Sequence, residues 1–313
     1  MSKKAIAIIT GDFHFTSTKP IARLENNISE WEDFQIESFR FIIEQCKKYD
    51  CGLISAGDFF DSSTELPYRF LNRLVEVARD LKQPSYDCIG NHTLPTRNIE
   101  DKSAIDKSVW KAAINARLFY GILTPLELNI SGLNFYFIPS NNDESTYEQA
   151  VIEANELKSD IIVMHKCVWS SETSFKNAPQ SGCAENICHD FSDAKFIFSA
   201  DNHTPFDYVG KSGVKLYNCG MPIRDSALLM DVTPRILVLF DNLTVESIPM
   251  NYDGNLTDIH IKIEKERKEK EYLFIQTIND STKDISLNFR SNLNLLTEDE
   301  ELLSYINSKF ETK

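Results

Sequence analysis

Five short groups of metal-binding residue types lie in order along the chain, each placed where a strand would run out into a loop. They are Asp12-Phe13-His14, Gly57-Asp58, Gly90-Asn91-His92, His165 and Asp201-Asn202-His203. Carboxylate with imidazole, a second carboxylate, an amide oxygen beside an imidazole, and further imidazoles are the donors a pair of divalent cations takes. Asn is a weak ligand alone, so its place in this series points to a shared site. Two cations about 3.5–4 Å apart activate a water and neutralise a phosphate, the arrangement used to cleave phosphoesters. Alone, Asp58 would read as a helix N-cap and His92 as a hydrogen-bonded loop residue. At the mouth of one sheet, both read as part of a metal site.

Strands and helices must bring these groups together. The apolar run over residues 5–10 ends at Gly11 and suits a buried strand. From Trp31 to Cys46, the residues Phe34, Phe39, Ile42, Ile43 and Cys46 approximate helical spacing. Residues 53–56 predict a second strand, stopped at Gly57. Tyr68, Leu71, Leu74, Val75, Ala78 and Leu81 predict an amphipathic helix, and residues 86–89 a third strand ending at Gly90. This β-α-β-α-β order predicts parallel strands with helices packed on them. Open α/β sheets bind their ligands beyond the C-terminal ends of the strands, where these groups fall.

The second half reads as hairpins. Leu126, Leu128 and Ile130 alternate with polar residues before a turn at Ser131-Gly132 and a return through Leu133, Phe135 and Phe137. Residues 160–164 predict a buried strand delivering His165, residues 196–198 one delivering Asp201 and His203, and residues 236–248 another hairpin. An α/β fold of two facing sheets with helices outside is expected, a four-layer α/β/β/α sandwich over residues 1–250. Beyond it the composition turns to a Lys/Glu mixture, and residues 251–313 predict a small α+β appendage. Within it, Leu302, Leu303, Ile306 and Phe310 share one face of a terminal helix.

The ordered series resembles the calcineurin-like metallophosphoesterase superfamily. Gly57-Asp58-Phe59-Phe60-Asp61 and Gly90-Asn91-His92-Thr93-Leu94-Pro95 look most like the SbcD-type DNA repair nucleases and their phage relatives, over roughly residues 5–250. The resemblance implies that Asp12, His14, Asp58 and His203 hold one metal, and Asp58, Asn91, His165 and Asp201 the other, with Asp58 bridging. His92 would face the substrate as general acid. The mixed carboxylate, amide and imidazole set suits Mn²⁺, with Mg²⁺ as the alternative. Arg224, in the loop after Asn218-Cys219-Gly220, could contact a phosphate; a surface arginine is the other reading.

Two positions depart from the family pattern. Its last motif, Gly-His-x-His, here reads Ala200-Asp201-Asn202-His203, which makes the site less positive. Thr93 stands where the family has an acid that orients the catalytic His, so a dyad partner is expected at position 93 only as a hydrogen-bonding hydroxyl. The expected activity is that of a Mn²⁺-dependent DNA nuclease subunit, exonuclease or endonuclease, in DNA repair, recombination or phage DNA processing. Two alternatives stand beside it. One is a phosphodiesterase for a nucleotide or other small phosphodiester; the other is a catalytically weak binding subunit of an SMC-like ATPase. A phosphoprotein phosphatase is disfavoured, because Ser62-Ser63 follow Asp61 where an Arg-Gly would be.

Bulk composition bounds these readings. A chain of 313 residues, 42% hydrophobic and 26% charged, has the make-up of an ordinary globular protein. No apolar run approaches the ~20 residues of a membrane span, and the short run at residues 5–9 leads straight into the first motif. No membrane partner is expected, and the location expected is the cytoplasm of a bacterium or phage-infected host. The seven cysteines form an odd set without framework spacing, which suits reduced thiols. Cys183, Cys188 and His189 have non-standard zinc spacing and lack a fourth ligand. The net charge of −14 opposes nucleic-acid binding. The resemblance to SbcD-type nucleases implies, besides DNA, an SMC-like ATPase that holds the DNA as partner, which would resolve that conflict, with a homodimer as a further assembly.

Overall fold

β1 (Ala5–Thr10) is buried along its whole length, as a strand with a layer packed on both faces must be. Ala7 and Ile9 point to one layer and Ile8 to the other, and that alternation organises the molecule. The computed structural model describes residues 3–20, 28–62, 64–79, 81–93, 102–140, 144–174, 178–226, 229, 231–250 and 266–274. After β1 come α1 (Ile28–Tyr49), β2 (Gly52–Ser55), α2 (Tyr68–Ala78), β3 (Tyr86–Cys88), α3 (Lys102–Asp106), α4 (Val109–Asn115) and β4 (Tyr120–Ile122). The second half runs β5 (Leu126–Ile130), β6 (Leu133–Ile138), α5 (Glu144–Glu156), β7 (Ile161–His165), α6 (Ala184–Asp190), β8 (Phe196–Ala200), β9 (Phe206–Val209), β10 (Lys215–Asn218), β11 (Arg235–Phe240) and β12 (Val245–Pro249).

These strands form two sheets, in the orders β12-β11-β1-β2-β3-β4 and β5-β6-β7-β8-β10-β9. Three apolar layers hold them. Phe39, Ile42 and Leu74 of α1 and α2 pack with Ile8, Leu53 and Val238 on the outer face of the first sheet. Ile9, Ile54 and Leu239 meet Phe135, Val163 and Phe198 between the sheets. Ala150 and Ala154 of α5 and Ile187 of α6 cover Tyr136, Ile162 and Ile197 on the outer face of the second. This is the expected α/β/β/α sandwich.

The second half differs from the expected run of hairpins. β5–β6 and β11–β12 are antiparallel pairs, but β6, β7 and β8 are parallel, so α5 and α6 are crossover helices. Their apolar signal is faint because α5 packs through alanines and α6 is short. A chain that must return to the same edge before each parallel strand needs such crossovers. Among the described residues, no helix is long and apolar enough to cross a membrane.

The chain divides into two compact units, Met1–Thr257 and Asp258–Lys313. In the second, a helix α7 covers 266–274 and includes Leu273 and Phe274. The remaining elements expected there, with Leu302, Leu303, Ile306 and Phe310, lie outside the described residues.

One buried acid in β3 makes stability depend on pH. Asp87 is fully buried and accepts a hydrogen bond from Trp110 Nε1 at 2.6 Å. Burial raises its pKa from 3.8 to about 7, and the hydrogen bonds from Ser55 and Trp110 only partly oppose this. The folded state therefore binds the proton more tightly than the unfolded chain. Stability from this group is complete below about pH 4 and is lost as pH rises towards 7, on the order of 4 kcal/mol at 1.36 kcal/mol per unit. Asp87→Asn, which keeps an acceptor for Trp110, should melt several degrees higher than wild type at pH 8 and near it at pH 4. Melting curves in chelator at both pH values check this, and an equal offset at both would contradict it.

Candidate metal centre

The loops after β1, β2, β3, β7 and β8 converge at one end of the sandwich, and their backbones are unusual. Asp12 (φ 51°), His14 (φ 48°), Asp58 (φ 50°) and Asp201 (φ 76°) all lie in the left-handed region. For residues other than glycine such conformations cost roughly 1–3 kcal/mol each and gather at functional sites. Cross-loop hydrogen bonds hold them: Asp12 N–H donates to Gly57 O, and His14 N–H to Asp58 O, both at 2.9 Å. Asp201 N–H donates to the Asp12 carboxylate, 3.0 and 2.9 Å from its two oxygens. Two glycines allow the approach: a Cβ at Gly57 would overlap the His165 ring, and one at Gly90 the Asp58 carboxylate.

Two groups of donors flank Asp58, and Asp12 belongs to both. In the first, ligand atoms of Asp12, His14 and His203 lie within 4.8 Å of one another. His14 Nε2 stands 3.9 Å from Asp58 Oδ2; it is buried and has no hydrogen-bond partner among the described residues. In the second, His165 Nε2 is 3.1 Å from Asp58 Oδ2, 3.8 Å from Asp201 Oδ1 and 2.8 Å from Asn91 Oδ1. His165 Nδ1 lies 3.0 Å from Ala56 O. A carbonyl can only accept, so Nδ1 carries a proton and Nε2 is the nitrogen turned to the cluster, as in metal sites with an outer-shell partner. The Asn91 amide directs its oxygen at acceptors; turned over, its nitrogen would donate to Asp58 Oδ2, His165 Nε2 and Asp201 Oδ1. Oxygen-inward is the orientation a cation requires. An orphaned imidazole nitrogen and converging carboxylates fit a pair of divalent ions, and the Asn91 amide stands where it can turn its oxygen to one of them.

A third group, His14, Asp61 and His92, flanks the first. Asp61 Oδ1 is 3.3 Å from both His14 Nδ1 and His92 Nδ1, and the two rings meet edge to face with centroids 4.6 Å apart. His92 is exposed, while its backbone N–H donates to Asp58 Oδ1 at 2.9 Å. Position 93 differs from expectation. Thr93 is fully buried and its hydroxyl donates to Phe60 O at 3.4 Å, away from the role of dyad partner. The carboxylate beside His92 is Asp61, three residues after Asp58, a spacing visible in the sequence but not given a role there. Arg224 is buried, only 5% exposed, which corrects the reading of a surface arginine. The field of its neighbour Asp225 reaches His14. In α6, Cys188 is buried and His189 exposed, so the thiol and imidazole face apart.

Electrostatics follow from crowding these groups without solvent. Burial raises Asp12 to about 6. Burial would raise Asp58 too, but His165, His14 and His92 hold it well below the usual carboxylate range. Hydrogen bonds from His14 and His92 likewise hold Asp61 down. His14 would be lowered by burial, yet Asp61, Asp58 and Asp12 carry it up to about 9. His165, opposed by burial in the same way, is carried up to about 10, chiefly by Asp58. His203 falls to about 3, lowered first by burial and then by the charges of His14, His92 and His165, which Asp58 only partly offsets. Asp61 also raises His92. Acids kept ionised beside imidazoles are the condition for exchanging protons against metal ions.

No protein-family model matches the chain, and no curated protein matches it in sequence. In structure it is similar to a dimetal phosphatase from Danio rerio, at 10% identity and TM-score 0.46, over 79% of this chain and 100% of that one. It is also similar to a 5'-nucleotidase precursor from Thermus thermophilus, at 10% identity and TM-score 0.43. That match covers 88% of this chain, which spans 60% of the nucleotidase's length. A third likeness is to GAP50, the anchor in the inner membrane complex of Plasmodium, at 12% identity and TM-score 0.41, over 84% of this chain and 94% of that one. The chemistry of the site rests on its own donors and distances.

Proposed function

We propose that the chain is a two-metal phosphodiesterase of the calcineurin-like type, acting as a DNA nuclease subunit. The observation that carries the chemistry is Asp58, a buried carboxylate between two donor groups that each present an imidazole nitrogen to the same oxygen. Asp12, His14, Asp58 and His203 would hold one cation, and Asp58, Asn91, His165 and Asp201 the other, Mn²⁺ or else Mg²⁺. When bound, such a pair supplies an activated water and neutralises the phosphate.

The residues around the site have distinct tasks. Asp12 accepts the Asp201 N–H and so ties the two sheets' loops together. Ala56 O fixes the His165 tautomer. Asp61 takes the Nδ1 side of both His14 and His92. That leaves Nε2 of His92 to give a proton to the leaving oxygen, and Asp61 keeps the ring in the protonated form that can do so. Arg224 would meet a phosphate oxygen from its buried position.

DNA as substrate rests on the likeness of the Gly57–Asp61 and Gly90–Pro95 motifs to SbcD-type nucleases, with an SMC-like ATPase supplying the hold on DNA that a charge of −14 denies. A cleft of about 180 Å³ favours a second reading. Phe13, Trp31 and Met221 line it beside His14, Asp61 and Asp225, and none of its described lining residues is Lys or Arg. Such a wall accepts a small neutral or cationic ester group more readily than the next phosphate of a strand. Labelled DNA and bis-p-nitrophenyl phosphate, each with Mn²⁺, separate the readings. Cleavage of both, with DNA cleavage stimulated by an SMC-like ATPase, is expected of the nuclease. Cleavage of the small ester alone assigns a small phosphodiester, and cleavage of neither removes the enzymatic reading.

A further inference from the structure

We propose that Asn218 is the positioning residue of the metal-binding loop after β8, acting through His203. The inference deepens the two-metal reading and rests on it for what the loop holds. β10 lies between β8 and β9 in the sheet, so residues 201–205 must arch over the end of β10 to pass from one strand to the other. Asn218 is the last residue of β10, in register with Ser199 on one side and Phe206 on the other. Its side chain therefore stands under the arch, fully buried.

The hydrogen bonds there are specific. Asn218 Nδ2 donates to Asn202 O at 2.6 Å and to Thr204 O at 2.8 Å, and Ser199 Oγ donates to Asn218 Oδ1 at 3.0 Å. Carbonyls only accept, so one orientation of the amide satisfies this pattern, with both of its N–H groups used. The carbonyl between them, that of His203, accepts from Met221 N–H at 3.1 Å. Three successive carbonyls centred on His203 are thus gripped by residues 218–221. Gly220, at φ 67°, packs so closely on Pro205 that a Cβ would lie 2.7 Å from the proline ring. Arg235 anchors the far side by donating to Asn218 O at 3.1 Å. The other donor in the arch, Asp201, is left-handed at φ 76° and is tied instead to Asp12. Asn218 is accordingly the side chain that holds the carbonyls on either side of His203, beside Asn202, whose side chain ties the arch to Val168 O and Thr204 N–H, while Asp12 holds Asp201.

Calorimetric titration of the metal-free full chain with Mn²⁺ tests this. Wild type should show two sites. Asn218→Ala should weaken one of them by about 10–100-fold, the range for outer-shell partners, and leave the other unchanged. Ser199→Ala, which frees only the amide oxygen, should weaken the same site less. In a His203→Ala background, Asn218→Ala should add nothing further, because the two act as one unit. Two wild-type sites in Asn218→Ala, equal weakening of both, or additive losses with His203→Ala would overturn the proposal. If Asn218→Ala fails to fold, Ser199→Ala decides, and an unaltered pair of sites in it overturns the proposal. A wild type that binds no divalent cation removes the two-metal reading and this inference together. One that binds two but cleaves no phosphoester removes only the activity, and Asn218 keeps its role.

Discussion

Asp58→Asn should leave a folded chain that binds at most one divalent cation and has lost phosphodiester hydrolysis by more than the ~10–100-fold typical of an outer-shell change. Asn is the right probe because residue 58 is left-handed, φ 50°, a region that Asn enters far more readily than Ala or Val. It also keeps an oxygen to accept the His92 N–H, now at 2.9 Å from Asp58 Oδ1. What it removes is the charge that both imidazole groups face. Two consequences are measurable besides activity: the Mn²⁺ stoichiometry falls from two, and crystals soaked in Mn²⁺ lose anomalous peaks at the manganese edge. Retention of two metals and of turnover would end the bridging assignment.

His92→Ala should lower turnover by roughly 10²–10⁴, the usual contribution of a positioned acid or base, with both metals retained. His92 is exposed, hydrogen-bonds through its backbone rather than its ring to Asp58, and owes its raised pKa first to Asp61. The sign of the pH dependence follows. A proton donor works below its pKa, so the rate falls as pH rises through it. Asp61→Asn takes away the anion and should move that alkaline limb to lower pH. Loss of a metal in His92→Ala would make residue 92 a ligand, and an unmoved alkaline limb in Asp61→Asn would detach the carboxylate from the acid.

Much of this was legible in the sequence because local signals and global fold agree. The apolar run of β1 stops at Gly11, that of β2 at Gly57, and each ends where the chain must leave a sheet. What escaped detection was short or set by packing alone. β9 and β10 are four residues each and partly exposed, and α5 shows the core little more than Ala150 and Ala154. In the site, the donors after the strands are brought together as their order suggested. Which side chain in a loop turns towards which neighbour has no such signal. Thr93 sits beside His92 in the chain yet turns to Phe60 O, while Asp61, thirty-one residues away, meets the His92 ring. Left-handed backbone at Asp12, His14, Asp58 and Asp201 was equally unreadable, because Asp and His occupy ordinary conformations as well.

The donors are divided between the sheets. Asp12, Asp58 and Asn91 follow strands of the first, whereas His165 ends one strand of the second and Asp201 and His203 follow another. A cation held among them would be a seam, adding to the side-chain packing and to the Asp201–Asp12 and His165–Ala56 hydrogen bonds that already join the two halves. Such stitching couples supply to endurance: ion at a hundred times its dissociation constant would add about 2.7 kcal/mol of stability. Chelation would then do more than silence chemistry. It would loosen the end of the sandwich where the loops meet, so that the chain without metal should be the more readily cleaved by protease.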